Sequence, residues 1–280
     1  VEQRVRHAPQ PGPRADVAAQ DVWVSQLATE GPMGRSVRDV ARLLRTQAGW
    51  SPNTPLSIAS GADQTSAGGT FDFKSQRIGW LGDLNGYLAM EPGILDACAS
   101  GLQRLQALGC AVEPARLGMA PERVWDAWLV WRRVLVASRI APFFLQPTNR
   151  VQIKPEAQWE HAQAEGCSAN QFLAASVART SLYQQMLKLF EQHDFLALPT
   201  AQVWPFDAAL RWPAEIAGRS MDTYHRWMEV VIYATFAGLP CISVPVGFND
   251  AGLPMGMQLL GQPQDDAGVL RLAQAYEQVI

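Results

Sequence analysis

An α/β fold, a mixed sheet flanked by helices, is what this sequence predicts, and three stretches predict it. Between Arg77 and Val112 an apolar run, a helical pattern and a second apolar run follow one another, the order of a right-handed parallel crossover. Near the carboxyl end, Cys241-Ile-Ser-Val-Pro-Val246 and Met255-Gly-Met-Gln-Leu-Leu260 flank the turn residues Asn249-Asp-Ala-Gly252, which reads as a hairpin. A third apolar run, Phe195 to Leu198, follows a long helical pattern.

The elements come in this order. Residues 1 to 30 carry Pro9, Pro11, Gly12 and Pro13 and no sustained period, so an extended arm is expected. Ser36 with Asp39 forms a near capping box, and Val37, Val40, Ala41, Leu44 and Ala48 give one apolar helix face that Gly49 ends. Residues 50 to 76, rich in Ser, Gly, Pro and Thr, read as a surface loop. Arg77 to Leu81 is a strand. A helix then begins near Pro92 with Ile94, Leu95, Cys98, Leu102, Leu105 and Leu108 at helical spacing, and Ala111-Val112 opens the next strand. From Pro121 the series Val124, Trp125, Trp128, Trp131 and Leu135 marks an aromatic helix that must end before, or bend at, Pro142. A shorter polar helix covers 155 to 165. Ser168 and Gln171 make a capping box for a helix through Phe190, and the strand Phe195–Leu198 runs into Pro199-Thr200.

The segment 199 to 220, with Trp204, Phe206 and Trp212, has no regular pattern. Long loops after strand ends are where α/β proteins place ligands, so a pocket is expected there. An apolar helical pattern next runs from Tyr224 and Trp227 to Gly238, which closes it by taking a left-handed conformation before Pro240. The strand Cys241–Val246 is almost wholly apolar and reads as covered on both faces, with Pro245 at an edge, bulge or strand end. Asp265 or Asp266 caps a last helix.

Composition narrows the function. With 280 residues, 48% of them hydrophobic and 18% charged, the chain is expected to form one domain over 1–280. A net charge of −3 with interspersed signs gives no footprint for nucleic acid or an anionic membrane. No apolar run reaches bilayer-spanning length, and the first residues are too polar for a signal peptide. Cys98, Cys110, Cys167 and Cys241 show no CxxC spacing, so reduced thiols in a cytoplasmic protein are expected. No phosphate loop or dinucleotide fingerprint is present, and no cofactor is expected.

Few residues offer chemistry. Ser66-Ala-Gly-Gly-Thr70 places a serine in a glycine-rich stretch, but without a second serine or a following helix signature it reads as a loop tip. His161, Glu165 and Cys167 lie close in sequence, yet Glu160 to Glu165 otherwise reads as a solvated helix face, and no metal site is assigned. His225 reads as a packed histidine ahead of a catalytic base. His193 suits a cation at a helix carboxyl end. For a substrate pocket the candidates are Thr200, Trp204, Trp128 and Trp131, with core packing the plainer role of the tryptophans.

Three segments carry a resemblance. Glu30-Gly-Pro-Met-Gly-Arg-Ser-Val-Arg-Asp39, Asp194-Phe-Leu-Ala-Leu-Pro-Thr200 and the block Tyr233–Gly261 with its AGLP, SVPVGF, GLP and GMQLLG pieces resemble, in order, the corresponding parts of the amidase signature enzymes. The resemblance implies a hydrolase of carbon–nitrogen amide bonds working through a Lys, cis-Ser, Ser triad in a Ser/Gly-rich segment upstream of the GPM helix. No GGSSGG-like run exists in the 280 residues, and Lys74, Lys154 and Lys188 match no catalytic lysine of the family. The chain thus looks like the C-terminal part of an incomplete amidase fold. No catalytic residue is assigned within it, and alone it is expected to be inactive.

The partners that follow are a small-molecule amide substrate in the intact enzyme and the missing N-terminal part of the same protein; the resemblance also allows a homodimer. Thr200 is expected near the family's cleft. Two other readings fit the same resemblance: a non-catalytic binding or assembly module derived from an amidase, and the amidase component of a transamidating complex. A large apolar face with unpaired strand edges would favour a fold completed by other polypeptide.

Overall fold

The structure, a computed structural model, describes Leu27, residues 31–52, Ser57, Ala59, 72–145 and 147–280. The expected arm, apart from Leu27, the stretch Ser66–Thr70 and most of the loop 50–76 lie outside the described residues.

Helix α1 (Val37–Gln47) starts where Ser36 Oγ accepts the Asp39 amide at 3.2 Å, and it buries Val37, Val40, Ala41 and Leu44. Strand β1 (Arg77–Trp80), helix α2 (Ile94–Ala107) and strand β2 (Ala111–Pro114) form the predicted unit, with β1 and β2 parallel. The helix begins two residues later than Pro92 suggests, because Gly93 sits at φ 84° and occupies the cap. Helix α3 (Pro121–Phe144) contains Pro142 and does not stop before it. A proline costs a helix one amide donor and crowds the preceding turn, a small loss where only Phe143 and Phe144 remain. Helices α4 (Pro147–Arg150), α5 (Pro155–Ala164) and α6 (Ala169–Phe190) follow. The capping box at the start of α6 is complete: Ser168 Oγ accepts the Gln171 amide at 3.2 Å and Gln171 Oε1 accepts the Ser168 amide at 2.8 Å.

Strand β3 (Phe195–Pro199) is buried throughout. The segment after it is irregular except for a two-residue antiparallel pair, β4 (Glu215–Ile216) and β5 (Arg219–Ser220). The helical pattern expected from Tyr224 to Gly238 is divided in two. A 3₁₀-helix (Arg226–Val231), with Met228 off helical geometry, precedes the short α7 (Ile232–Ala237), which Gly238 closes at φ 70°. Strands β6 (Cys241–Phe248) and β7 (Pro254–Leu260) form the hairpin, with a register shift between Pro245 and Gly247. Helix α8 (Asp266–Glu277) is capped by Asp265, whose Oδ1 accepts the Gly268 amide at 2.9 Å.

The five-stranded sheet runs in the order β2-β1-β3-β7-β6. Strand β1 is parallel to β2 and β3, whereas β7 is antiparallel to β3 and β6. The mixed α/β expectation holds. Alternation along the strands feeds two cores. Leu196, Leu198 and Leu260 face the layer containing α3, α6 and α7, while Phe195, Ala197, Ile242, Val244 and Leu259 face α1, α2 and α8. Both sheet faces are therefore covered, which is why the strand sequences are so apolar. Strand β6 forms one margin, and its carbonyls at Pro245 and Val246 accept from Tyr276 Oη at 2.9 Å and Arg104 Nη1 at 3.0 Å. Among the described residues no helix is long and apolar enough to cross a membrane, and none of the four cysteines forms a disulfide.

Candidate functional site

A cleft of about 320 Å³ opens where β3 ends. The hairpin supplies Ser243, Pro254, Met255 and Gly256, the loop after β3 supplies Thr200 to Phe206 apart from Gln202, and the 3₁₀-helix supplies Trp227. Thr200 is set by a backbone bond from its amide to the Gly256 carbonyl, 2.9 Å. Its Oγ1 lies 2.7 Å from Ser243 Oγ. The pair fits because residue 256 is glycine: a Cβ there would stand 2.8 Å from Ser243 Oγ and 3.0 Å from Thr200 Oγ1.

The aromatic wall is fixed by its polar edges. Trp204 donates its backbone amide to Glu91 Oε2 at 2.7 Å and its indole N–H to the Pro92 carbonyl at 3.0 Å. Trp227 donates its indole N–H to the Tyr224 carbonyl at 2.9 Å and meets Phe206 edge-on, centroids 5.3 Å apart. Two buried glutamines hold these parts together. Gln258 Nε2 donates to the carbonyls of Pro199 and Val230, and Gln202 accepts the Val230 amide at 3.1 Å while donating to the Ala89 carbonyl at 3.0 Å.

Through Tyr224, whose carbonyl holds Trp227, the cleft wall connects to buried charged side chains. Glu160, expected to be solvated, is fully buried on α5: Oε1 accepts from Arg132 Nε at 2.5 Å and Tyr224 Oη at 2.7 Å. The reading failed because Arg132, one helix away, supplies the counter-charge. Among the described residues its Oε2 has no hydrogen-bond partner. His225 is buried as well, with Nδ1 2.7 Å from Thr223 Oγ1 and Nε2 3.7 Å from Glu160 Oε1. Burial, joined by the charges of Arg132, Arg133 and Arg226, pushes its pKa down to about 3; Glu160, already held by Arg132 and Tyr224, does not reverse this. His225 is thus a neutral core histidine at physiological pH. Glu229, buried beside Arg226 Nε at 3.1 Å and Tyr233 Oη at 3.3 Å, is pushed up to about 7, chiefly by burial.

Of the residues singled out from sequence, Thr200 and Trp204 line the cleft. Trp128 and Trp131 lie elsewhere, buried in the core of α3, where Trp128 stacks on Trp125 at 5.1 Å and Trp131 meets Phe172 at 4.7 Å. His161 stacks on Phe144 at 4.0 Å, and among the described residues no group of three His, Cys, Asp or Glu could hold a metal. His193 donates its amide to the Leu189 carbonyl at 3.0 Å, near the end of α6. The sequence reading missed Ser243, Trp227 and Gln258. A signal existed for two of them: Ser243 and Gln258 are polar residues inside otherwise apolar strands, and they are register partners. Chemically, the cleft presents two hydroxyls among apolar walls, an arrangement that binds and orients.

A family model described as Amidase matches residues 13–270. Similar relatives include a component of the Glutamyl-tRNA(Gln) amidotransferase of Symbiobacterium thermophilum, 28% identical over a match that covers 92% of this chain and 55% of the relative. The like-named component from Synechococcus sp. (strain JA-2-3B'a(2-13)) is 30% identical, with 91% of this chain and 52% of the relative covered. Among solved structures, a bacterial aryl acylamidase belonging to the amidase signature enzymes matches with a TM-score of 0.82 at 24% identity, covering 99% of this chain and 57% of that one. The 6-aminohexanoate cyclic dimer hydrolase in complex with substrate matches with 0.77 at 20%, covering 99% and 59%. At those identities the structural likeness is one of fold. The chain spans about half the length of the curated relatives it matches.

Proposed function

Since this chain belongs to the amidase family, we propose that it serves the cleavage of carbon–nitrogen amide bonds, amide and water giving carboxylate and ammonia or amine, and that its cleft contacts the substrate through Thr200 and Trp204. The observation that carries this reading is the cleft at the end of β3, where the Thr200 and Ser243 hydroxyls sit under an aromatic wall. In this reading a serine oxygen attacks the amide carbonyl, the amine leaves with a proton, and water releases the acid from the acyl-enzyme. The nucleophile comes from polypeptide outside these 280 residues. The absence of a paired-serine glycine run within them and the share of each relative that the chain covers support that part. Trp128 and Trp131 serve the core in this account.

The test is turnover of simple aliphatic and aryl amides. The 280-residue chain alone is expected to give none, and a protein that joins it to a nucleophile-bearing segment is expected to give turnover that the paired changes Thr200→Val and Ser243→Ala weaken. Serine-dependent turnover by the 280 residues alone would overturn the assignment of the nucleophile.

A second reading, part of a transamidating complex, is supported by the names of the relatives at 28% and 30% identity. Ammonia release from glutamine by the joined protein, with no activity on simple amides, would favour it.

A further inference from the structure

The lining of the cleft specifies a kind of ligand. Among the described residues eleven line it and none of them is charged, so a carboxylate or ammonium placed there would lose its hydration with no opposite charge from them in return. The walls are Trp204, Trp227, Phe206 and Met255, and flat indole and phenyl surfaces favour a flat apolar partner. A volume of about 320 Å³ lies at the lower end of the roughly 300–1,000 Å³ usual for ligand sites, room for a single substituted ring.

The floor adds one directional contact. Thr200 Oγ1 and Ser243 Oγ, 2.7 Å apart, share one hydrogen bond in which either is the donor. Two hydroxyls carry two hydrogens, so one is spent between them and the other remains to donate. Among the described residues neither hydroxyl has a further hydrogen-bond partner. Both residues are partly exposed to the cleft, and the glycine at 256 brings no Cβ against them. The floor therefore supplies one donor suited to one carbonyl oxygen.

Resting on the reading of this cleft as a substrate site, we infer that it takes an uncharged aromatic amide, ring against Trp204 and Trp227, carbonyl oxygen on the Thr200–Ser243 hydroxyl pair, and that it rejects zwitterionic amides such as free glutamine. The hydroxyls act as a unit: when either is removed, the other still has a hydrogen to offer.

The experiment is a ligand-observed NMR titration of the 280-residue chain with N-phenylacetamide, its carbonyl-free counterpart N-ethylaniline, and L-glutamine. N-phenylacetamide should bind tightest and glutamine should show no saturable binding. Thr200→Val and Ser243→Ala should each cost N-phenylacetamide less than about twofold. The double variant should cost about fivefold, the worth of one neutral hydrogen bond, and bring it level with N-ethylaniline. Trp204→Ala should weaken both aromatic probes, with near-UV circular dichroism confirming that each variant is folded. Glutamine binding as tightly as N-phenylacetamide, no binding of either aromatic probe, or indifference of N-phenylacetamide to the double variant and to Trp204→Ala would each overturn the inference. The readout involves no turnover. Failure of a joined protein to cleave amides would sink the amidase reading and leave the ligand class standing, and a preference for glutamine would do the reverse.

Discussion

Gln258 Nε2 lies 2.7 Å from the carbonyl oxygen of Pro199, at the last residue of β3. The same nitrogen reaches the Val230 carbonyl at 3.2 Å, so one buried amide joins the strand end that carries Thr200 to the 3₁₀-helix that carries Trp227. The cleft depends on that joint. A Gln258→Leu substitution keeps the volume and strands two buried carbonyls, and it should cost about 2–3 kcal/mol. Urea denaturation should show a lower midpoint at an unchanged m-value; a midpoint equal to the parent's would mean that the joint is dispensable.

Gly101→Ala weighs helix propensity against packing. Alanine is favoured over glycine within a helix by about 1 kcal/mol, but a Cβ at 101 would stand 2.6 Å from Val246 Cγ1 and 3.3 Å from Met257 Cε. Overpacking of that kind costs about 1–3 kcal/mol. Packing should win, and thermal unfolding should shift downward. An upward shift would show that α2 can lift from the sheet at little cost.

Two buried groups oppose each other in pH dependence. Glu229, held near 7 in the folded chain and near about 4.3 when unfolded, keeps its proton longer in the native state, so its contribution to stability falls as pH rises across that interval. His225, near 3 when folded and about 6.5 when unfolded, acts the other way: the unfolded state holds its proton longer, so stability climbs as pH rises from the lower value to the upper and is lost as pH falls back. Between about 4.3 and 6.5 the two slopes offset. His225→Gln should uncover a decline in stability from about pH 4.5 to 7, and Glu229→Gln a steeper rise from about pH 3 to 6.5. Chemical denaturation across that range measures both, and identical profiles for parent and variants would refute the assignment.

Glu160→Gln should be more costly than its distance from the cleft suggests. Arg132 would lose its counter-charge, a change worth about 3–5 kcal/mol when the charge left behind is fully buried; because the Arg132 side chain is 26% exposed, solvent should reduce the loss to roughly 2 kcal/mol. Pairing the change with Arg132→Met should restore much of the stability. A double variant less stable than Glu160→Gln alone would argue against this account.

Much of the framework was legible because it is written locally. The Ser168–Gln171 box, the left-handed Gly238 and the β1–α2–β2 unit each depend on a few neighbouring residues, and the structure reproduces them. What escaped depends on side chains that arrive from far along the chain. The pattern from Tyr224 to Gly238 reads as one helix until Gln202 takes the Val230 amide and Gln258 bonds the Val230 carbonyl; both bonds lie outside any periodicity. Glu160 reads as solvated until Arg132 and Tyr224 close over it. In the site, Thr200 and Trp204 were visible from a strand end and a long loop. Ser243 and Trp227 meet them only through the hairpin register and the path of the 3₁₀-helix.

Strand β6 stands at the margin of the sheet, eight residues long and without a charged side chain. Natural margins of that length usually carry a lysine, an inward-pointing charge or a cover that discourages uninvited pairing. Lacking the first two, the edge relies on Pro245, the register shift beside it and the Tyr276 and Arg104 bonds to its carbonyls: replacing Pro245 with valine and Arg104 with alanine should make a purified sample form oligomers in a concentration-dependent manner in light scattering, and a lysine in place of the exposed Phe248, Phe248→Lys, should keep the particles small.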